Sequence, residues 1–435
     1  MTSSSPAAAA TPGDAATPQA WRTLGISAVS LALAFAVWFM WSAIAVKLPD
    51  AGFALSKKEC FWLTAMPVLL GSFLRIPYGL IVSRFGSRNA YAAVTLLMLV
   101  PCVGAGLALS DPKSSFGTLL FWATLTGIAG ANFATSMATV TLWFPKRLQG
   151  TALGINGLGN LGVTIAQFLI PAVIGVALFG ALSGEPLSFQ PKGAPTPTPM
   201  WLSGAAYVWI PAILVCTAAL WFGTRNFPQE PKTLASQLAV MKERHTWLIS
   251  YLYFLTFGAF VAMGSSLPLI IKTVFANAPG GAPTPLLYAP WAVLVATLTR
   301  PLGGVLADKF GAGFITAISV GVMTVCGFAL TQFLDPDSFR GFFVVILVLC
   351  AAAGLGNGST FKIAPSILGA KAGPAIGVVS CVGALGGFFP PILLGECIER
   401  FGSPVLAYAG MGVFGITCFA LNAWFYWRKD SPSHC

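Results

Sequence analysis

Arg75-Ile76-Pro77-Tyr78-Gly79, with Ser83-Arg84-Phe85-Gly86 behind it, returns later in the chain as Arg300-Pro301-Leu302-Gly303-Gly304, with Asp308-Lys309-Phe310-Gly311 behind it. Arginine, glycine, small polar residue, base, phenylalanine and glycine recur at one constant offset of 225 positions. Asn132 and Thr135 come back at the same offset as Asn357 and Thr360. Gly159 and Gly162 come back 224 positions on, as Gly383 and Gly386. One insertion separates the two registers while the order of elements is kept. The chain is a duplicated unit.

Composition says what the unit is made of. Of 435 residues, 56% are hydrophobic and only 9% charged, with a mean hydropathy of +0.80. Soluble domains carry about 25% charged residues, so a water-soluble enzyme and a disordered chain are both excluded. Twelve apolar stretches are long enough to cross a bilayer as helices, at about 22–46, 60–83, 90–110, 115–142, 150–181, 203–223, 246–271, 286–307, 313–334, 340–364, 374–397 and 404–427. The fold class expected is an all-α polytopic membrane protein, twelve transmembrane helices in two pseudo-symmetric six-helix bundles. Residues 1–20 read as a disordered cytoplasmic tail, 21–224 as the N-terminal bundle and 225–245 as a cytoplasmic linker. Residues 246–428 read as the C-terminal bundle and 429–435 as a second tail. The stretch 185–199, rich in proline and glycine, reads as a flexible loop.

Lys and Arg number 24 against 13 Asp and Glu, a net charge of +11. Twelve spans put both termini on one side, and 13 of the bases fall on that side against 8 on the other. The positive-inside rule makes it the cytoplasmic side. Because the charge is spread over loops on both faces, a nucleic-acid surface is not expected. Cysteines 102, 216, 326, 350, 381 and 418 sit within spans and read as small buried residues, with no disulfide framework and no metal spacing. The two histidines, His245 and His434, lie in the linker and the tail. An integral membrane enzyme would need a His, Asp or Cys constellation in a span, and a sensor an output domain; neither is legible.

The repeated loop resembles the cytoplasmic signature of the major facilitator superfamily, here Gly79, Arg84, Gly86 and Arg88 in the first copy and Asp308, Lys309 and Gly311 in the second. Ser83 stands where the family usually has Asp. The resemblance implies a secondary transporter that alternates access between two bundles, with these loops as cytoplasmic gates.

Three cations lie inside spans: Arg75, Arg300 and Lys362. A charge at the bilayer centre costs at least about 2.5–3.5 kcal/mol, so such residues face the bundle interior and mark a pathway. Arg75 and Arg300 each precede the cytoplasmic end of their spans by about eight residues, roughly 12 Å at the helical rise. As repeat mates they should face each other between the halves. No carboxylate sits deep enough to neutralise them. A bound oxyanion resolves this, because guanidinium forks match planar anions bidentately; the alternative is that backbone carbonyls satisfy each arginine.

Gly154, Gly157, Gly159 and Gly162 in span five, and Gly377, Gly383, Gly386 and Gly387 in span eleven, have the spacing of close helix packing. Asn156 and Asn160 interrupt the first run as polar groups that could bond a substrate or a neighbouring helix. Together these features resemble the nitrate/nitrite porter (NarK-like) family over the whole chain from about Trp21. The resemblance implies that Arg75 and Arg300 clamp the planar anion and that Asn160 hydrogen-bonds it. It also implies that Phe133, Tyr253 and Phe257 line the site; the last two fall at i and i+4 on one helix face. Ala384 takes the place of Asn160 in the second copy, so one amide is available.

Lys362, whose repeat mate is Met137, is the candidate for proton coupling: desolvated near two arginines, it would gain a proton as an anion arrives. The alternative is a lysine that snorkels to the cytoplasmic surface. The expected function is nitrate import by proton symport across a bacterial inner membrane, with nitrate/nitrite antiport as the alternative. The partners implied are nitrate, nitrite, protons and membrane lipid, with no cofactor and no metal, in a monomeric carrier.

Overall fold

The computed structural model describes residues 17–180, 184–189, 198–226, 235, 239–428, 430–431 and 433–435. Among them, twelve helical segments are long and apolar enough to cross a membrane. They are α1 Pro18–Lys47, α2 Lys57–Phe85, α3 Ser87–Leu109, α4 Phe116–Trp143, α5 Leu148–Val173 and α6 Gly204–Gly223, then α7 Arg244–Val274, α8 Pro285–Phe310, α9 Ala312–Leu330, α10 Pro336–Leu368, α11 Pro374–Phe401 and α12 Val405–Trp427. Every expected span is present.

Local chemistry explains where the helices begin. Thr17 caps α1 by accepting from the Ala20 N–H, with Pro18 in the first turn. The helix therefore starts three residues inside the expected tail, whose residues 1–16 lie outside the described residues. Ser56 and Glu59 form a reciprocal capping box at the head of α2. Span five ends at Val173, not near 181, because the Ile174 carbonyl accepts from the Trp201 N–H and the chain turns away. The loop read as flexible pairs its described ends as antiparallel β1 Leu187–Phe189 and β2 Thr198–Met200. Arg244 and His245 belong to α7 and not to the linker, most of which (227–234 and 236–238) lies outside the described residues.

The second tail is not free either. The Gly313 N–H at the head of α9 donates to the Cys435 carbonyl at 2.8 Å, and the His245 ring bonds both the Tyr426 hydroxyl and the Ser433 hydroxyl. Lys429 is outside the described residues. Asn226, just past α6, makes the equivalent contact in the first half: its amide oxygen accepts from the N–H groups of Arg88 and Asn89 at the head of α3.

Packing repeats as the sequence does. Within the halves α2 lies on α4 and α1 on α5, while α8 lies on α10 and α7 on α11. Between the halves α2 meets α11 and α8 meets α5. The glycine runs allow this closeness. A Cβ on Gly162 would stand 1.8 Å from the Ala32 carbonyl oxygen of α1, and one on Gly386 would stand 2.1 Å from the Phe254 carbonyl oxygen of α7. Side chains left outside the core are apolar, such as Phe222 at 82% exposed and Val325 at 67%, as a surface bathed in hydrocarbon requires.

Candidate functional site

Helical side chains lean toward the N-terminal end of their helix, so Arg75 on α2 and Arg300 on α8 both reach away from the face that carries the termini. Both guanidiniums arrive at the same two rings. The Arg75 Cζ lies 4.7 Å from the Phe133 centroid and 5.1 Å from that of Phe257. The Arg300 Cζ lies 5.8 Å from each. Phe133 comes from α4 in the first half and Phe257 from α7 in the second, 6.3 Å apart. Tyr253 stacks on Phe257 at 5.1 Å with nearly parallel planes, and its hydroxyl accepts from Arg300 Nη2 at 3.4 Å. The structure thus brings Arg75, Arg300, Phe133, Tyr253 and Phe257 into one cluster where the halves meet.

The two arginines are incompletely satisfied. Arg75 is 1% exposed. Its Nη1 donates to the Ser380 carbonyl on α11 at 2.9 Å, while its Nε and Nη2 are buried without a partner among the described residues. Arg300 Nη1 is in the same state. The carbonyl alternative therefore accounts for one donor of Arg75 only. No carboxylate meets either residue: the ion pairs among the described residues are Lys58–Glu396, Lys272–Asp50, Lys362–Asp308, Lys371–Glu243 and Arg400–Glu396.

Asn160 closes a 3-10 turn, Leu158–Asn160, within α5; it is fully buried, and both its amide oxygen and its amide nitrogen lack a partner among the described residues. Asn156, in contrast, bonds the Ser136 hydroxyl through its amide and is a helix-to-helix contact. The signature glycines divide similarly. Gly159, Gly162, Gly386 and Gly387 lie against neighbouring helices, and a Cβ on Gly383 would stand 2.1 Å from the Tyr253 ring. Gly157 points toward Arg300 Nε at 3.8 Å, while Gly154 and Gly377 face open space.

Lys362 is held by a carboxylate. Its ammonium sits on the Asp308 carboxylate at 2.5 Å, with both side chains about half exposed at the terminal end of α8 and α10. That half-exposed ion pair is the geometry of the snorkelling alternative. Asp308 thereby acquires a partner that the sequence reading did not give it. Elsewhere in the loops, Gly86 and Gly311 adopt φ of +83° and +96°, which L side chains rarely do. Gly79 lies within α2, and Arg84, Arg88 and Lys309 lie over the rings of Phe85, Trp221 and Phe310. The sequence reading missed two neighbours of Arg75: the Ser380 carbonyl, which no side-chain pattern reveals, and Trp38 of α1, whose ring centroid is 5.5 Å from the guanidinium.

A twelve-span bundle with a repeat-related pair of cations at the seam between its halves has the form of a carrier. The model of the Major Facilitator Superfamily matches residues 26–391. Similar curated proteins include a probable nitrate/nitrite antiporter NarK2 of Thermus thermophilus, 38% identical over 96% of this chain and 94% of that one. The nitrate/nitrite transporter NarU of Salmonella typhimurium is 36% identical over 94% and 92%. A nitrite extrusion protein of Bacillus subtilis is 30% identical over 94% and 96%. Among solved structures, an inward-facing, occupied bacterial homologue of the human lysosomal transporter Spinster superposes with a TM-score of 0.68 at 19% identity, covering 94% of this chain and 97% of that one, which is a likeness of fold. This chain belongs to the nitrate/nitrite porter (NarK-like) family of the major facilitator superfamily: it is a multi-pass membrane transporter and not an enzyme.

Proposed function

We propose that the protein carries nitrate, with nitrite as the counter-anion, across a bacterial inner membrane with both termini cytoplasmic, by rocking its two halves about the Arg75–Arg300 site. The observation that carries this reading is the pair of guanidiniums over shared aromatic faces, with three buried guanidinium nitrogens that meet no protein acceptor among the described residues. A planar oxyanion supplies acceptors and negative charge together, and Asn160 offers it a further donor. Exchange is preferred to proton symport for a specific reason: Lys362 is already paired with Asp308 in a half-exposed setting, and no His, Asp or Glu stands among the site residues. Two permanent cations favour a carrier that crosses loaded, so an anion leaving one side is replaced by one from the other.

Counterflow in proteoliposomes tests this. Labelled nitrate should enter vesicles loaded with nitrate or nitrite, much less those loaded with chloride, and an imposed pH gradient should not drive it. Uptake into anion-free vesicles driven by an inward proton gradient would overturn exchange and restore symport. Absence of any nitrate uptake would overturn the substrate.

A further inference from the structure

Trp38 lies in the middle of α1, 2% exposed, and is held on every side. Its indole N–H donates to the Pro67 carbonyl of α2 at 2.9 Å. Its ring meets Phe35 and Phe39 edge-on, at 5.3 and 4.7 Å. Two glycines make room for it: a Cβ on Gly71 would stand 3.0 Å from the indole nitrogen, and one on Gly130 of α4 would stand 2.4 Å from the ring. The ring is therefore immobile relative to α2, and Arg75, two turns below Pro67 on the same helix, lays its guanidinium over it at 5.5 Å.

The contacts of Arg75 differ in what happens when the halves move. Its one backbone hydrogen bond, to Ser380, crosses from the first half to the second, as does its approach to Phe257. Rocking of the halves breaks or reshapes both. Trp38 and Phe133 share the first half with Arg75 and travel with it. Trp has the strongest quadrupole of the ring side chains, and a desolvated cation gains most from it.

We infer that Trp38 is a positioning residue for the anion site, a fixed aromatic plate that keeps the Arg75 guanidinium oriented in both facing states of the carrier, including the moments when Ser380 has let go. The inference rests on the nitrate reading above. Its signature is an affinity effect seen from both sides of the membrane, because the plate belongs to one rigid half.

The test uses Trp38→Phe, which keeps a ring and loses the bond to Pro67, and Trp38→Leu, which loses both. In proteoliposomes, with nitrate concentration varied separately outside and inside, the nitrate KM should rise on both faces. The rise should be about 2- to 30-fold for the leucine variant, the range of a desolvated cation–π contact, and smaller for phenylalanine. The maximal exchange rate per folded carrier should stay within about twofold. An unchanged KM in a folded phenylalanine variant overturns the inference, and that variant decides alone if the leucine protein fails to fold. A change on one face only, or a fall in rate at constant KM, also overturns it, since ordinary packing damage would act that way. No nitrate transport by the unaltered protein would instead overturn the function on which it rests.

Discussion

Arg75 puts a charge near mid-membrane at a cost of at least about 2.5–3.5 kcal/mol, and a desolvated ring face returns about 2 kcal/mol. What tips the balance is its unsatisfied donors, each costing about 1–3 kcal/mol while buried without an acceptor. A bound anion relieves several at once. Arg75→Lys and Arg300→Lys keep the charge and lose the fork, so each should weaken nitrate binding about 10- to 100-fold, the range of a lost charged hydrogen bond. Nitrate-dependent thermal stabilisation reads this, and near-normal affinity in both variants would remove the clamp. Asn160→Ala should cost about 0.5–1.5 kcal/mol if its amide makes one neutral hydrogen bond to the anion; unchanged affinity would make it a packing residue. Lys362→Met breaks only a half-exposed ion pair, worth about 0–1 kcal/mol, and exchange should continue with KM within about twofold. Loss of transport in that variant would return the lysine to the mechanism. The arginine pair is legible in the sequence because the repeat preserves its offset, and the shared face of Tyr253 and Phe257 because helical spacing is local, while their place at the site comes from the family resemblance. The Lys362–Asp308 pair is not legible there, because a span gives a residue's depth and not its direction, and the partner lies 54 positions away on another helix.

At the scale of elements, α5 shows which packing a sequence discloses. Its glycines announced a close approach to a neighbour, and Gly162 lies against the Ala32 carbonyl as its spacing implied. Gln167, one turn further along, could not be read that way. Pro268 inside α7 has no N–H to give, which leaves the Gly264 carbonyl without its helical donor. The Gln167 amide supplies that donor from the other half at 2.8 Å, while also bonding Ser42 of α1 at 3.2 Å. The proline is visible in the sequence, but its compensation comes from 97 positions away. Since the bond crosses the seam, it exists only while α5 and α7 are together at the end far from the termini. Gln167→Leu should strand the carbonyl in that closed state at about 1–3 kcal/mol and leave the opened state untouched. Hydrogen exchange at the far ends of α1 and α7 should then quicken by roughly the corresponding 5- to 150-fold. Exchange as slow as in the unaltered protein would show that the bond does not hold the seam.

Across the whole molecule, the ion pairs that join the two halves all lie at one end among the described residues. Lys272 at the end of α7 meets Asp50 just past α1 and the Val46 carbonyl in the last turn of α1, and Lys58 at the head of α2 meets Glu396 of α11. At the terminal face, Lys362–Asp308 and Lys371–Glu243 join no helix of the first half to the second. Among the described residues the two halves are therefore clamped together at the face opposite the termini. Each clamp is about a third exposed, so solvent screening limits it to about 0.2–1 kcal/mol. Being separate contacts, the two should add. Replacing both lysines, Lys58→Gln with Lys272→Gln, should shift the carrier toward the state open at that face by about 2- to 30-fold. The consequence is directional: the nitrate KM measured from the clamped side should fall, and that measured from the terminal side should rise. Raised ionic strength should act on the unaltered protein in the same sense and add little to the double variant, because screening removes what the substitutions remove. A KM that moves equally on both sides, or a salt effect undiminished by the substitutions, would place the barrier to opening in buried contacts such as the Gln167–Gly264 bond instead of at these ion pairs.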